Sequence, residues 1–235
     1  MATLYAGTSG FAYPAWKPGF YPAKLPAARF LEHYASRLNC VEINYTFRRM
    51  PAATTLSTWV DLTPEGFLFV VKAHQQITHF RRLKDAGEPT QAFLASLQPL
   101  REAGKLGPVL FQLPPQLKLD LERLEAFLAL LPPGLRYAFE FRDASWFVED
   151  VYSMLRQRGA ALCVAESEKL QVPDAVTAGF TYYRLRKPTY DDADLDGVVA
   201  RSRELLADDR DVFVLFKHEE DPTGALYAER ILAAA

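Results

Sequence analysis

The stretch YAFEFRDASW, which begins at Tyr137, alternates aromatic and charged residues with a period of two. Its aromatic residues share one parity, whereas Glu140 and Arg142 share the other. Because successive residues of a β-strand point to opposite faces, the pattern predicts a strand with one apolar and one charged face. A lone buried charge is strongly unfavourable, so Glu140 and Arg142 must either pair with each other or line a wet cavity.

Seven further stretches have the composition of short strands, and several repeat the division into an apolar and a polar face. Short runs rich in β-branched and aromatic residues, bounded by Gly, Pro or Asn, are typical of strands. The predicted strands are Leu4–Ser9, Cys40–Tyr45, Phe67–Lys72, Val109–Leu113, Ala160–Glu166, Phe180–Arg186 and Val212–Lys217.

Apolar residues at helical spacing separate most of these strands. The segment Phe11–Pro26 is rich in proline and aromatic residues, which predicts an ordered loop packed onto the rest of the fold. No helical pattern is visible between Ser167 and Ala178, so the sixth helix is predicted to be missing or reduced. The helix from Pro89 is predicted to continue to Gly104. The predicted helices begin near Pro26, Thr55, Pro89, Asp120, Val151, Asp191 and Ala225.

Eight strands alternating with about seven helices predict an α/β fold, a single (β/α)8 TIM-type barrel that spans residues 1–235 as one domain. An open doubly wound sheet usually carries a glycine-rich G-x-G-x-x-G turn after its first strand, and this sequence has none. The alternation of elements therefore favours the closed barrel.

Composition limits the partners and the cellular compartment expected for the protein. The net charge of -2 and the pI near 6.1 give no general attraction to nucleic acid or to anionic membranes. The N-terminus lacks the basic flank and apolar core of a signal peptide, and no stretch approaches the roughly 18 apolar residues of a membrane span, which predicts a cytoplasmic protein. Cys40 and Cys163 lie in apolar strands and are predicted to be buried, reduced thiols.

Polar residues gather near the ends of the predicted strands, at the parity that faces the barrel lumen. TIM barrels carry their active sites at the C-terminal ends of their strands. With three glutamates against five lysines and arginines, the mouth of the barrel is predicted to be locally positive and to bind an anion. These residues are Glu42, Asn44, Lys72, Gln112, Glu140, Arg142, Glu166, Arg184, Arg186 and Lys217.

Within this ring, Glu42 and Glu140 are the predicted general acid and base, because their strands lie on different sides of the barrel and the two carboxylates could bracket a substrate. The other ring residues apart from Glu166 are predicted to bind substrate. Trp146 is also predicted to bind substrate, with packing as the alternative. The aromatic residues of the Phe11–Pro26 loop either stack on a ligand or only pack.

Cofactor motifs are missing from the sequence. There is no nucleotide-binding fingerprint, and the four histidines have no metal-ligand spacing. A divalent metal held by Glu42, Glu140 and Glu166 stays an open alternative, although the neighbouring cations would compete with it. The sequence also lacks a G-x-S-x-G elbow and a C-x-x-C pair, which argues against the common serine hydrolases and thiol redox proteins.

Several segments, taken together and in order, resemble the YecE-like proteins, a family of unknown function with a TIM-barrel fold. The resemblance implies that fold and a set of recurrent polar residues, but no established reaction. Where many members have His-Gly after the strand-seven arginine, this chain has Arg186-Lys187. The matching segments are Gly7–Pro22, Leu38–Pro51, Phe67–His79, Gly107–Pro115, Phe139–Trp146 and Tyr182–Arg186. The implied polar residues are Glu42, Asn44, Lys72, Gln112, Glu140, Arg142 and Arg184.

Two hypotheses of function follow. The first is an enzyme, a hydrolase or lyase, that acts on a small anionic substrate bearing a phosphate or a carboxylate. The alternative is a binding module for a nucleotide, a nucleic-acid strand or a protein partner, which would use the basic mouth and the pairs Arg48-Arg49 and Arg81-Arg82. No membrane partner is expected, and the sequence leaves the oligomeric state open.

Overall fold

The computed structural model describes residues 1–234, in which eight parallel strands close into a barrel in the order of the chain. Strand β1 pairs with both β2 and β8, so the sheet has no free edge. The predicted (β/α)8 barrel is confirmed. The strands are β1 (Leu4–Ser9), β2 (Cys40–Ile43), β3 (Leu68–Lys72), β4 (Leu106–Gln112), β5 (Tyr137–Glu140), β6 (Ala161–Ala165), β7 (Phe180–Leu185) and β8 (Asp211–Phe216).

Helices follow seven of the eight strands, and within residues 1–234 no helix lies between β6 and β7, as the sequence predicts. None of the helices in this range is long and apolar enough to cross a bilayer. The helices are α1 (Phe30–Ala35), α2 (Ala53–Asp61), α3 (Gly87–Ser96), α4 (Gln98–Glu102), α5 (Leu121–Leu130), α6 (Glu149–Arg158), α7 (Asp192–Ala207) and α8 (Thr223–Ala234).

The single helix predicted from Pro89 to Gly104 is wrong, because the chain forms α3 and α4 with a break at Leu97. Pro99 lies in the first turn of α4. Proline has no backbone N–H to donate and its ring clashes with the carbonyl four residues earlier, so it ends the preceding helix and begins the next.

Side chains of alternating parity divide the barrel into an outer layer against the helices and a filled lumen. The outer layer holds most of the buried apolar residues, whereas the lumen holds a smaller separate cluster that includes both cysteines. The lumen of the barrel is therefore a packed core rather than an open pore. The lumen cluster includes Cys40, Val70, Leu110, Ala138, Cys163, Tyr182, Phe213 and Leu215.

The start of the barrel depends on a close approach between β1 and β2. The hydroxyl of Tyr34 on α1 accepts a hydrogen bond from the Thr8 amide at 2.8 Å and donates one to the Cys40 carbonyl at 2.9 Å. A Cβ on Gly7 would lie 2.0 Å from the Cys40 carbonyl oxygen and 2.9 Å from the Tyr34 hydroxyl. Only glycine leaves room for this bridge.

The loop at Phe11–Pro26 is ordered and packs against α1. Trp16, Phe20 and Tyr21 are all buried. The Tyr21 ring stacks on Phe30 of α1, with ring centroids 4.2 Å apart. These aromatic residues fill the space between the loop and α1, and in this position they have no free face for a ligand.

Candidate functional site

Arg184, on β7, lies at the centre of a buried ion cluster at the C-terminal end of the barrel. One of its terminal nitrogens donates to Glu42 of β2 at 2.6 Å and the other donates to Glu140 of β5 at 2.5 Å. All three side chains are nearly inaccessible, with residue exposures of 2%, 0% and 1% respectively. One guanidinium thus joins strands from different sides of the barrel.

Four groups saturate the Glu42 carboxylate. Besides Arg184, the Ser9 hydroxyl donates to Oε1 at 2.7 Å, and the Asn44 amide donates to the same oxygen at 3.0 Å. The Tyr182 hydroxyl donates to Oε2 at 2.5 Å. Ser9 ends the neighbouring strand β1 and Asn44 directly follows β2, whereas Tyr182 and Arg184 belong to β7. Two strands separate β7 from β2 in the sheet, so barrel closure assembles this environment.

Glu140 anchors a second chain of contacts. The Gln112 side-chain amide donates to Oε1 at 2.9 Å, and Arg186 donates to both carboxylate oxygens at 3.1 and 3.3 Å. Gln112 in turn accepts a hydrogen bond from the Lys72 ammonium at 2.8 Å. The amide of Gln112 therefore links Lys72 to the carboxylate without a direct ion pair.

The cluster keeps both carboxylates ionised. Burial raises the pKa of Glu42, but the charge of Arg184 and the hydrogen bonds from Arg184, Tyr182 and Ser9 outweigh it and lower the pKa to about 2. For Glu140 burial again raises the pKa, and Arg184 with Arg186 brings it below its usual value. A carboxylate with so low a pKa is a weak base near neutral pH.

Lys72 is a partly buried cation of the cluster. Among the described residues, no carboxylate lies within ion-pair distance of its ammonium group. Its ammonium lies 4.2 Å from the centroid of the Phe47 ring, which also packs edge-on against His79. Burial, followed by the positive charge of Arg184, lowers the pKa of Lys72 to about 8. Near neutral pH this amine is close to releasing its proton.

Arg142 and Lys217 reach the mouth of the barrel but stay outside the buried cluster. Both side chains are exposed, and within residues 1–234 Arg142 forms no salt bridge. Lys217 lies 3.9 Å from Glu219, a weak and exposed pair. The two residues are therefore charges at the rim.

Trp146 lies away from the lumen. Its indole N–H donates to the Leu117 carbonyl at 2.7 Å, and its ring stacks on Phe141 with centroids 4.7 Å apart. Since Phe141 belongs to the outer apolar layer, the structure places Trp146 in the packing between β5 and its helices.

The lumen position predicted for Glu166 is wrong. On β6 the lumen-facing parity belongs to Cys163 and Ala165, which puts Glu166 on the opposite face. There its carboxylate accepts hydrogen bonds from the Arg186 amide at 2.5 Å and from the Tyr190 hydroxyl. The three carboxylates considered as metal ligands are thus not gathered, and in the described part of the chain no group of three suitable side chains could hold a metal ion.

Sequence reasoning missed Ser9 and Tyr182 as members of the site. Both have the lumen parity of their strands, Ser9 at the last residue of β1 and Tyr182 two residues before Arg184. Parity alone could have found them, but a hydroxyl gives no charge signal in a sequence.

A closed parallel barrel with a polar cluster at the C-terminal ends of its strands belongs to the class of TIM-barrel proteins, whose enzymes carry their active sites at this end. The profile of the family described as "Protein of unknown function DUF72" matches residues 5–235. The chain belongs to this family.

Curated relatives and a crystal structure agree with this assignment. The YunF protein of Bacillus subtilis (strain 168) is 33% identical over 156 residues, and the YecE protein of Escherichia coli (strain K12) is 29% identical over 157 residues. These matches cover 63% and 66% of this chain, and the chain spans about half the length of these relatives, 54% of each. A DUF72 family protein from Thermotoga maritima superposes with a TM-score of 0.86 at 27% identity, covering 97% of both chains.

Proposed function

We propose that this chain is an enzyme that binds a small anionic substrate at the mouth of the barrel and acts on it by proton transfer, as a hydrolase or lyase does. One observation carries the proposal. Arg184 already neutralises part of both buried glutamates, and two more cations, Arg186 and Lys72, stand beside them. Three cations against two carboxylates leave an excess positive charge that a bound anion would balance.

Arg186 is the residue we assign to the anion. One of its terminal nitrogens contacts Glu140, while its Nε is buried and has no hydrogen-bond partner among the described residues. A buried donor without an acceptor is unfavourable, and a guanidinium matches the two oxygens of a carboxylate or phosphoryl group. Arg142 and Lys217 at the rim add positive charge that would attract the same ligand.

Lys72 is the group we assign to proton transfer. A general acid or base works best when its pKa lies near the operating pH, which the lowered pKa of Lys72, about 8, satisfies. Glu42 and Glu140, the acid and base expected from the sequence, have pKa values shifted away from that range. In this proposal they act instead as fixed charges that hold Arg184 and Arg186 in place.

Thermal unfolding in the presence of inorganic phosphate, sugar phosphates, nucleotides and carboxylates tests the anion site. A ligand at about 100 times its Kd adds about 2.7 kcal/mol to the free energy of unfolding, a shift that is easily measured. We expect one anion class to raise the Tm of the wild type and of the control Arg156→Ala, whose arginine is exposed on α6. The shift should vanish in Arg186→Ala. An equal shift in Arg186→Ala, or no shift with any anion, would contradict the proposal.

A polyanion such as a nucleic-acid strand is the second candidate ligand. The contact between Phe47 and His79 brings the loops that carry Arg48-Arg49 and Arg81-Arg82 side by side, and Phe80, directly before Arg81, is 72% exposed. Exposed aromatic rings beside arginines suit stacking on bases. Oligonucleotide binding that weakens with salt by a slope near 0.7 per phosphate contact would favour this candidate over a small anion.

A further inference from the structure

The crossover from β6 to β7 encloses a cleft at the C-terminal end of the barrel. Residues 166–179 contain no helix, and the segment 166–172 runs along the cleft as irregular chain. Two adjoining cavities lie there, of about 690 and about 400 Å³, and Arg186 lines both. The smaller cavity is also lined by Glu140, so the cleft opens directly onto the ion cluster.

In the smaller cavity the charge that is free to bind a ligand is positive, because its three carboxylates are already engaged. Two arginines hold Glu140, the backbone of Arg186 donates to Glu166, and the Ser145 amide donates to Asp143. The Arg142 and Lys169 side chains, which also line the smaller cavity, have no hydrogen-bonded or ionic partner within residues 1–234. An anion held by Arg186 in the smaller cavity would therefore meet further cations at its rim, whereas the carboxylate of Glu168 lines only the larger cavity.

The walls away from these charges are apolar. Leu170 and Val172 on the crossover line both cavities and are only partly covered, so each keeps accessible apolar surface. Ala165 completes this wall from the end of β6. Clefts of several hundred Å³ with an apolar lining and a few convergent polar groups are typical of small-molecule sites.

We propose that this cleft is the subsite for the apolar body of the substrate, which makes the substrate an anion with a carboxylate or phosphoryl head and an apolar chain or ring. The head group binds at Arg186 and the apolar body lies along Leu170 and Val172. This inference rests on the proposed function, since it uses the same anion site.

Two homologous ligand series test the inference: straight-chain carboxylates from acetate to octanoate, and inorganic phosphate with its monoalkyl esters. Each buried methylene is worth about a fourfold gain in affinity. We expect the Kd of the wild type, measured by calorimetry, to fall by up to about fourfold per methylene until the cleft is filled. The comparison of the two series identifies the head group.

The variants Leu170→Ser and Val172→Ser should flatten this dependence on chain length and leave the Kd of acetate or inorganic phosphate unchanged. Both positions are partly exposed on a loop, so the fold should tolerate the change. Leu226→Ser, at an exposed leucine of α8, is the matched control and should keep the full dependence.

The outcomes separate the two proposals. Short anions that bind with no gain from chain length would overturn the apolar subsite and leave the anion site standing. A chain-length dependence that persists in both serine variants would show that the apolar subsite is not formed by Leu170 and Val172. If no member of either series binds but a sugar phosphate or a nucleotide does, the inference fails and the anion site stands. If none of these anions binds, the proposed function fails together with the inference.

Discussion

At the scale of single residues, the balance of charge around each buried group decides its chemistry. Glu42 and Lys72 stand at the ends of adjacent strands, yet their pKa values move in ways that suit different roles. At Glu42 the charge of Arg184 and the hydrogen bonds from Arg184, Tyr182 and Ser9 outweigh burial and lower the pKa, so the carboxylate stays charged. Lys72 is partly buried and lies near Arg184 without a carboxylate in ion-pair contact, so its positive charge is disfavoured and its pKa is lowered.

The lowered pKa of Lys72 predicts a specific dependence of stability on pH. In the unfolded chain Lys72 titrates near 10.5, and in the folded protein near 8. Between these pH values the unfolded state binds more protons, so the contribution of Lys72 to the free energy of unfolding rises as the pH increases. We expect the stability of the wild type relative to Lys72→Met to rise over this range in urea unfolding.

The exposed Lys24 supplies the control for this measurement. Lys24→Met should follow the wild type at every pH. A difference between wild type and Lys72→Met that stays constant from about pH 8 to about pH 10 would show that Lys72 titrates normally, and would remove it as the proton-transfer group.

At the level of secondary-structure elements, the crossover from β6 to β7 has no helix, and a buried side chain holds it against the barrel instead. The hydroxyl of Thr177 accepts a hydrogen bond from the Leu162 amide and donates one to the Ala160 carbonyl, both at 2.8 Å. Thr177 is buried, so these bonds are shielded from water. A single side chain thus ties the returning chain to the start of β6, a task that a packed helix performs in the other crossovers.

Thr177→Val removes both hydrogen bonds with little change of shape. Because the Leu162 amide and the Ala160 carbonyl are left buried without this partner, we expect a loss of about 1 to 3 kcal/mol in the free energy of unfolding. Thr58→Val is the control, since the Thr58 hydroxyl bonds a carbonyl on the exposed face of α2 and its loss should cost less than about 0.5 kcal/mol. Equal effects of the two changes would contradict the anchoring role.

At the scale of the whole molecule, closure of the barrel creates the site. Arg184 and Glu42 are 142 residues apart in the chain, and they meet only because β7, β8, β1 and β2 are consecutive in the closed sheet. Any change that weakens closure should therefore affect the entire ion cluster.

Two glycine substitutions are expected to change the free energy of unfolding in opposite directions. Gly7→Ala tests the closure, and Gly197→Ala is its control. Gly7→Ala would place a methyl group against the Cys40 carbonyl oxygen, and we expect a loss of about 3 kcal/mol or more. Gly197→Ala, on the exposed face of α7, meets no atom within 4 Å and should stabilise the protein by up to about 1 kcal/mol. Chemical denaturation measures both, and a neutral Gly7→Ala would show that β1 and β2 can separate there without loss.

Local sequence patterns were enough to predict the eight strands, the crossover without a helix and the lumen parity of most polar residues. These features are local, because the period of two and the spacing of apolar residues depend only on neighbours along the chain. The wrong prediction for Glu166 also arises because the prediction used only local patterns. Its strand, Ala161–Ala165, is apolar on both faces, as buried parallel strands are, so the pattern contains no parity signal.

Which charges neutralise one another depends on the three-dimensional fold. From the sequence, Glu140 and Arg142 either pair with each other or line a wet cavity. The fold instead pairs Glu140 with Arg184 and Arg186 and leaves Arg142 exposed. The register of the barrel sets these partners, and register is a property of strands far apart in the chain. The partners in turn fix the pKa values, which is why the fold shifts the proposed proton transfer from the two glutamates to Lys72.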